Sequence, residues 1–289
     1  MTNKQKALVI VLLMSVLGGA TPTIVKIGVT TIPSFSFAFM RFLIAGIIIA
    51  PFLLKKNFTQ SLKELAPLSI LGTINIAFFA VGVKLTMATM GQLLYAAIPL
   101  LTAIFLFVLF KERISQRKGF GIIVGFTGVI LIALLPIIEK GGQFSGNFTG
   151  NILIAIGVAS WALYNIYSKS RLKIFSPFII TAAFIWVTCM ALFPLFLMDI
   201  EMHYGWWKQV SPPAVFAVFY TAIISTIAAF VLNQYVIKLG GPILTSMQFY
   251  LIPIFTYISA FFLLGELLTS GLVIGGVLAL LGVYIATRE

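Results

Sequence analysis

Long apolar runs separated by short polar stretches dominate the chain. Ten such runs can be read, at residues 7–28, 34–54, 66–85, 90–110, 118–137, 150–169, 177–198, 213–236, 243–264 and 270–287. Each is close to the length of about 20 residues with which an α-helix crosses a hydrocarbon layer of about 30 Å. None alternates between apolar and polar residues as a strand of a membrane barrel does. The pattern therefore predicts an all-α polytopic membrane protein with ten transmembrane helices.

Composition supports this prediction and excludes the soluble classes. Of the 289 residues, 61% are hydrophobic and 9% are charged, whereas soluble domains carry about 25% charged residues. The first run resembles a signal peptide at its start but continues past Lys26, so an uncleaved span is expected. A single cysteine and a single histidine, Cys189 and His203, exclude a disulfide and histidine-cluster metal sites. We therefore expect no metal, no cofactor and no hydrolytic or redox enzyme.

The basic residues indicate how the chain lies in the membrane. The net charge is +12, which in a soluble protein would suggest a nucleic-acid partner. With the N-terminus inside, 14 of the 19 Lys and Arg residues fall in cytoplasmic loops. The outer loops hold Lys140 and Lys208, together with Glu139, Asp199 and Glu201. Because basic loops stay in the cytoplasm, we expect a multi-pass protein of the plasma or inner membrane with both termini cytoplasmic. Its partner is then the lipid bilayer rather than a nucleic acid.

The two halves of the chain share a spaced pattern. Pro99 precedes Glu112 by 13 residues, and Pro253 precedes Glu266 by the same distance. The same offset of 154 residues relates Gly121 to Gly275. This predicts two repeats, at residues 1–140 and 141–289, with five spans each. Because five is odd, the second repeat is inverted in the membrane, an arrangement typical of transporters.

These features resemble a known family over the whole chain. The motifs that carry the resemblance are Arg-Phe at 41–42, Glu-Arg-Ile-Ser at 112–115, Gly-Asn at 150–151, Ser-Trp-Ala-Leu-Tyr-Asn at 160–165 and Glu-Leu-Leu-Thr at 266–269. Together with the five-plus-five layout, they resemble the EamA group of the drug/metabolite transporter superfamily. The resemblance implies a ten-helix carrier, usually an exporter of amino acids, other metabolites or drugs. It also implies that spans one to four and six to nine surround a cavity.

Polar and aromatic side chains near the middle of the spans are the candidates for lining a substrate pathway. They are Thr21, Thr23, Arg41, Asn75, Gln92, Tyr95, Trp161, Tyr164, Asn165, Ser225, Thr226 and Gln248. Each of the uncharged ones can equally lock two helices together through a hydrogen bond. Of the three basic residues in the spans, Lys26 and Lys84 can snorkel to the outer interface, whereas Arg41 lies deeper. Pro22, Pro99 and Pro253 are candidate hinges, since proline frees backbone carbonyls.

The acidic residues are informative because of their positions. Glu112 and Glu266 lie at span ends, where a structural cap or ion pair is favoured over proton transfer. The central thirds of the spans contain no Asp or Glu. A cation bound in such a cavity needs a compensating charge, so exchange of lipophilic cations for protons is disfavoured.

The sequence thus predicts a secondary transporter that exports a small organic metabolite, with amino acids as the first class, by alternating access. A monomer is compatible with this prediction. An exporter of drugs or quaternary-ammonium cations is the alternative within the same class. A non-transporting membrane enzyme or assembly subunit is the alternative of another class, and it is disfavoured because a lipid enzyme needs paired acids or histidines.

Overall fold

The computed structural model describes residues 1–53, 58–85, 94–139, 148–264 and 270–287. Within these ranges the chain forms helices and no strands, which confirms the all-α prediction there. The helices are α1 (Asn3–Gly28), α2 (Ser34–Ile49), α3 (Phe58–Leu85), α4 (Ile98–Phe110), α5 (Gln116–Glu139), α6 (Phe148–Arg171), α7 (Pro177–Met202), α8 (Pro212–Ser246), α9 (Gln248–Leu264) and α10 (Ser270–Thr287).

Six of the described helices are long and apolar enough to cross a membrane. They are Asn3–Gly28, Ser34–Phe52, Phe58–Gly82, Phe148–Arg171, Pro177–Met202 and Pro212–Ser246. Shorter apolar helices add to them at Ile98–Phe110, Gln248–Leu263 and Val273–Thr287. Several apolar helices are thus present, as in a multi-pass membrane protein. The number of crossings and the inversion of the repeat stay predictions.

Helix α8 is interrupted within residues 237–242, which the sequence predicts to lie between two spans. The break is at Gly241, whose φ of 81° and ψ of 173° lie outside the helical region and are accessible to glycine. The middle of α8, Thr221–Ala228, is π-helical. Such wide turns recur at functional sites.

Helix pairs show how the bundle is arranged. Helix α5 packs mainly against α10, and α2 packs against α7. Helix α3 packs against α6 and α7, and α1 packs against α8 and α9. One apolar core joins α2, α3, α6 and α7 around Phe42 and Phe184, and a second joins α1, α5 and the last three helices around Tyr250. The α5–α10 pair therefore lies apart from the first core.

Close approach of α5 to α10 depends on glycine. A Cβ atom added at Gly128 would lie 2.6 Å from the carbonyl oxygen of Gly275 and 3.0 Å from Cα of Ala279. Neither neighbour is a flexible side chain, so the two helices would have to separate. Gly119, on the same helix, has no atom within 4 Å of such a Cβ among the described residues.

We expect Gly128→Ala to destabilise the protein by about 1–3 kcal/mol, because overpacking forces backbone shifts. Gly119→Ala is the matched control and should be neutral or slightly stabilising, since alanine favours helix over glycine. Thermal unfolding of the detergent-purified variants measures both. Equal melting temperatures for the two variants would contradict this description of the α5–α10 contact.

Candidate functional site

Aromatic rings from four helices meet in the first core. Trp161 and Tyr164 of α6 stack with ring centroids 5.0 Å apart, and Tyr164 lies 5.3 Å from Phe184 of α7. Phe230 of α8 lies 5.0 Å from Phe184 and 5.7 Å from Trp161. Phe42 of α2 completes the group, 5.9 Å from Phe184. These five residues, here called the aromatic cluster, join helices from both halves of the sequence.

A chain of amide side chains runs beside the aromatic cluster. Nε2 of Gln248 donates to Oδ1 of Asn233, and Nδ2 of Asn233 donates to Oδ1 of Asn165, each over 3.0 Å. All three side chains are buried. Both bonds of this chain are donated in the direction from Gln248 to Asn165. The amide nitrogen at its end, Nδ2 of Asn165, has no partner among the described residues.

Gln234 forms a second link between α8 and α6. Its Nε2 donates to the hydroxyl of Tyr164 over 2.8 Å and to that of Ser168 over 3.3 Å. Its Oε1 is buried and, within the described part of the chain, has no hydrogen-bond partner. The indole Nε1 of Trp161 is also buried and has no hydrogen-bond partner among the described residues. A buried polar atom without a partner costs free energy, so these atoms mark where a ligand can add hydrogen bonds.

Asn75 connects α3 to α6. Its Nδ2 donates to the carbonyl oxygen of Gly157 over 2.9 Å, and its Oδ1 accepts from the hydroxyl of Tyr95 over 3.0 Å. The ring of Tyr95 lies 5.7 Å from that of Phe249. The hydroxyl of Ser160 donates to the carbonyl oxygen of Leu71 over 2.7 Å. Asn75 and Ser160 therefore act as interhelical links.

Arg41 is the charged residue at this level of the bundle. It is the eighth of the 16 residues of α2, and its guanidinium carbon lies 4.9 Å from the ring centroid of Phe42. Its Nε is buried and has no hydrogen-bond partner in the described ranges. A guanidinium cation thus lies at the edge of the aromatic cluster.

The remaining candidates in α1 and α8 lie at a helix contact. The hydroxyls of Thr21 and Ser225 share a hydrogen bond of 2.7 Å, and those of Thr23 and Ser259 share one of 3.0 Å. Thr226 is fully buried, and its hydroxyl has no partner among the described residues. The three prolines lie within or at the start of helices, Pro22 in α1, Pro99 in α4 and Pro253 in α9.

Glu112 lies outside the bundle core. Its carboxylate accepts from Nζ of Lys169 over 3.4 Å, and both side chains are about half exposed. An exposed pair of this kind contributes little stability. Two candidates, Gln92 and Glu266, lie outside the described residues, as does the side chain of Lys84.

One acid occupies a place that the sequence did not predict. Asp199, expected in an outer loop, lies in the last turn of α7 and is 1% exposed. Its Oδ2 accepts from the backbone nitrogen of Ser36 over 2.8 Å and from the hydroxyl of Ser36 over 3.3 Å. It therefore caps the N-terminus of α2, where the helix dipole favours a negative charge.

A cavity of about 610 Å³ opens beside this cap, away from the aromatic cluster. Its walls come from residues 29–34, between α1 and α2, and from the end of α7 with His203, Tyr204 and Trp206.

Sequence reasoning missed Asn233, Gln234, Phe184 and Phe230. Two adjacent amides inside an apolar run are a usable signal, because their burial requires partners within the protein. Phenylalanine offers no such signal, since the chain contains 27 of them.

Known proteins resemble this chain along its whole length. The sequence model of the EamA-like transporter family matches residues 5–134 and 148–288. An uncharacterized transporter of Archaeoglobus fulgidus is 28% identical over 99% of both chains. The uncharacterized inner membrane transporter YedA of Escherichia coli K12 is 29% identical over 88% of this chain and 82% of its own. A protein of known crystal structure, 20% identical, superposes with a TM-score of 0.80 over 98% of this chain and 96% of its own, which shows a shared fold.

We expect Asp199→Ala to destabilise the protein by about 1.5–3 kcal/mol, because it removes hydrogen bonds to a charged group at a helix end. Glu201→Ala is the control, since Glu201 is exposed two residues further along the chain; its effect should stay within about 0.5 kcal/mol. Thermal unfolding in detergent compares them. An Asp199→Ala variant as stable as Glu201→Ala would show that the cap is dispensable.

Proposed function

Because the chain belongs to the EamA-like transporter family, we propose that it is a secondary transporter that exports small organic metabolites by alternating access. Amino acids are the first class of substrate. The protein lies in the plasma membrane, or the inner membrane of a cell with two, and both its termini are cytoplasmic. Ten helices form two inverted repeats, residues 1–140 and 141–289.

The pairing of helices is the observation that carries this proposal. Adding or subtracting five converts each helix number into that of its counterpart in the other proposed repeat. The α3–α6 pair then becomes α8–α1, and the α1–α9 pair becomes α6–α4. All of these pairs are in contact. The α2–α7 and α5–α10 pairs map onto themselves. This correspondence, and the two ranges that match the family, support a duplicated unit. Inverted repeats of this kind can exchange inward-open and outward-open conformations.

The aromatic cluster and the amide chain support a binding site between the two repeats. Phe42 belongs to the first repeat, whereas Trp161 and Phe230 belong to the second. Binding sites of secondary transporters lie at the interface of their repeats near the middle of the membrane. Apolar walls with a few convergent polar groups suit a small organic molecule.

The aromatic cluster also favours the alternative substrate class, because aromatic faces attract quaternary-ammonium groups. However, all seven acidic residues lie at helix ends or in connecting segments of the sequence. A cation in the cluster would therefore lack a nearby carboxylate. This is why we place metabolites with a negative group before cationic drugs.

We expect liposomes that contain the purified protein and unlabelled amino acids to take up labelled leucine, phenylalanine or threonine faster than protein-free liposomes. Trp161→Ala should slow this exchange, since it removes a wall of the aromatic cluster. Trp207→Ala, which changes an exposed ring, should leave it unchanged. Labelled tetraphenylphosphonium tests the alternative. No flux of any compound in a broad metabolite panel would refute the proposed function.

A further inference from the structure

We infer that Arg41 binds a carboxylate group of the transported molecule, so that the protein accepts carboxylic acids and rejects the corresponding amides. This inference rests on the proposed function and specifies its substrate class. The acidic group is the required feature, and an amino group on the substrate is optional.

Among the described residues the structure shows no ion pair for Arg41. The carboxylate of Asp199 is bound at Ser36 of the same helix. Ser36 precedes Arg41 by five residues, which is about 7.5 Å along a helix axis. A charge inside a membrane protein is costly unless it is paired or faces a pathway. The ring of Phe42 offers the guanidinium only partial compensation.

Unpartnered buried donors outnumber acceptors in the described part of the chain. Four of these side-chain atoms are donors only, one is an acceptor only, and the remaining four are hydroxyls, which can do either. Three of the donors are on Arg41, whose guanidinium carbon lies 4.9 Å from the ring centroid of Phe42, and on Trp161 and Asn165 of α6. An ionised carboxylate only accepts hydrogen bonds and has about four positions for them. It therefore complements the site, whereas an amide brings further donors.

An ammonium group finds weaker support in the same place. Among the described buried atoms without a partner, the atom that only accepts is Oε1 of Gln234, whose Nε2 donates to the hydroxyl of Tyr164. These groups tolerate an amino acid but cannot replace a carboxylate as a counter-charge. A substrate analogue without its amino group should therefore still bind.

Binding of three probes of similar shape to the unmodified protein tests the inference directly. These are leucine, 4-methylpentanoate, which lacks the amino group, and leucinamide, which lacks the carboxylate. Phenylalanine, 3-phenylpropionate and phenylalaninamide form a second set with a larger side chain. Calorimetric titration of the purified full-length protein should show, in at least one set, that both acids bind at least about tenfold more tightly than the amide.

Variants test whether this preference for acids depends on Arg41. Arg41→Met should weaken binding of the acids by about 10- to 100-fold and leave the amide unchanged. Arg41→Lys should give an intermediate loss, because an ammonium cannot bind a carboxylate in the two-pronged way of a guanidinium. Lys26→Met removes the same charge at the exposed end of α1 and should change neither. If Arg41→Met does not fold, Arg41→Lys and the unmodified protein decide the question.

The possible results separate this inference from the proposed function. An amide that binds as tightly as its acid overturns the inference, as does an Arg41→Met variant that keeps the preference for acids. Absence of binding by all six probes also overturns it. Acid binding with no flux of any compound in the metabolite panel would support the carboxylate site and refute the transporter. Metabolite flux without a preference for acids would support the transporter and refute the carboxylate site.

Discussion

Hydrocarbon offers no hydrogen-bond partners, and this constraint governs the structure. Every backbone polar group in such a layer must be satisfied within the protein, which is why the apolar runs are helical in the part of the chain that the structure describes. Buried polar side chains obey the same rule across helices. Asn75 joins α3 to α6, and Asn233 joins α8 to α6. Because α6 takes part in both links, it connects α3 to α8 beside the aromatic cluster.

The same rule distinguishes scaffold from site. The α5–α10 pair approaches through glycine and alanine, such as Gly128 and Ala279, and close packing alone is sufficient there. In the first core, by contrast, the amide chain ends at Nδ2 of Asn165, which like Nε1 of Trp161 has no partner among the described residues. A protein that retains such atoms loses stability to them. Retention is understandable if a substrate completes the network, which is why we propose a site in the first core, away from the α5–α10 pair.

Much of the fold follows from the sequence because a membrane makes helix formation a local property. A run of apolar residues is sufficient to specify a helix, whichever neighbours it acquires. The break near the end of α8 also follows from the sequence, since Gly240 and Gly241 before Pro242 predict a connection between two spans. The structure interrupts the helix there, at Gly241, whose φ of 81° and ψ of 173° are non-helical.

The candidate site follows less completely, since it depends on how helices rotate against each other. Trp161, Tyr164 and Asn165 can be placed near one face from their spacing. Their partners Phe184 and Gln234 cannot, because the period of a helix does not reveal which other helix faces it.

The two charges associated with α2 show how an ionised group inside the helix bundle can be interpreted. Asp199 lies against the first turn of α2, where the backbone nitrogen of Ser36 and the helix dipole stabilise its carboxylate. Its position is explained by the fold alone. Arg41 lies in the middle of the same helix, far from either end, so the dipole cannot compensate its charge, and Phe42 does so only in part. A charge that the fold explains is structural. For Arg41 the described residues supply no ion pair, and this is why we infer an anionic group from outside the chain.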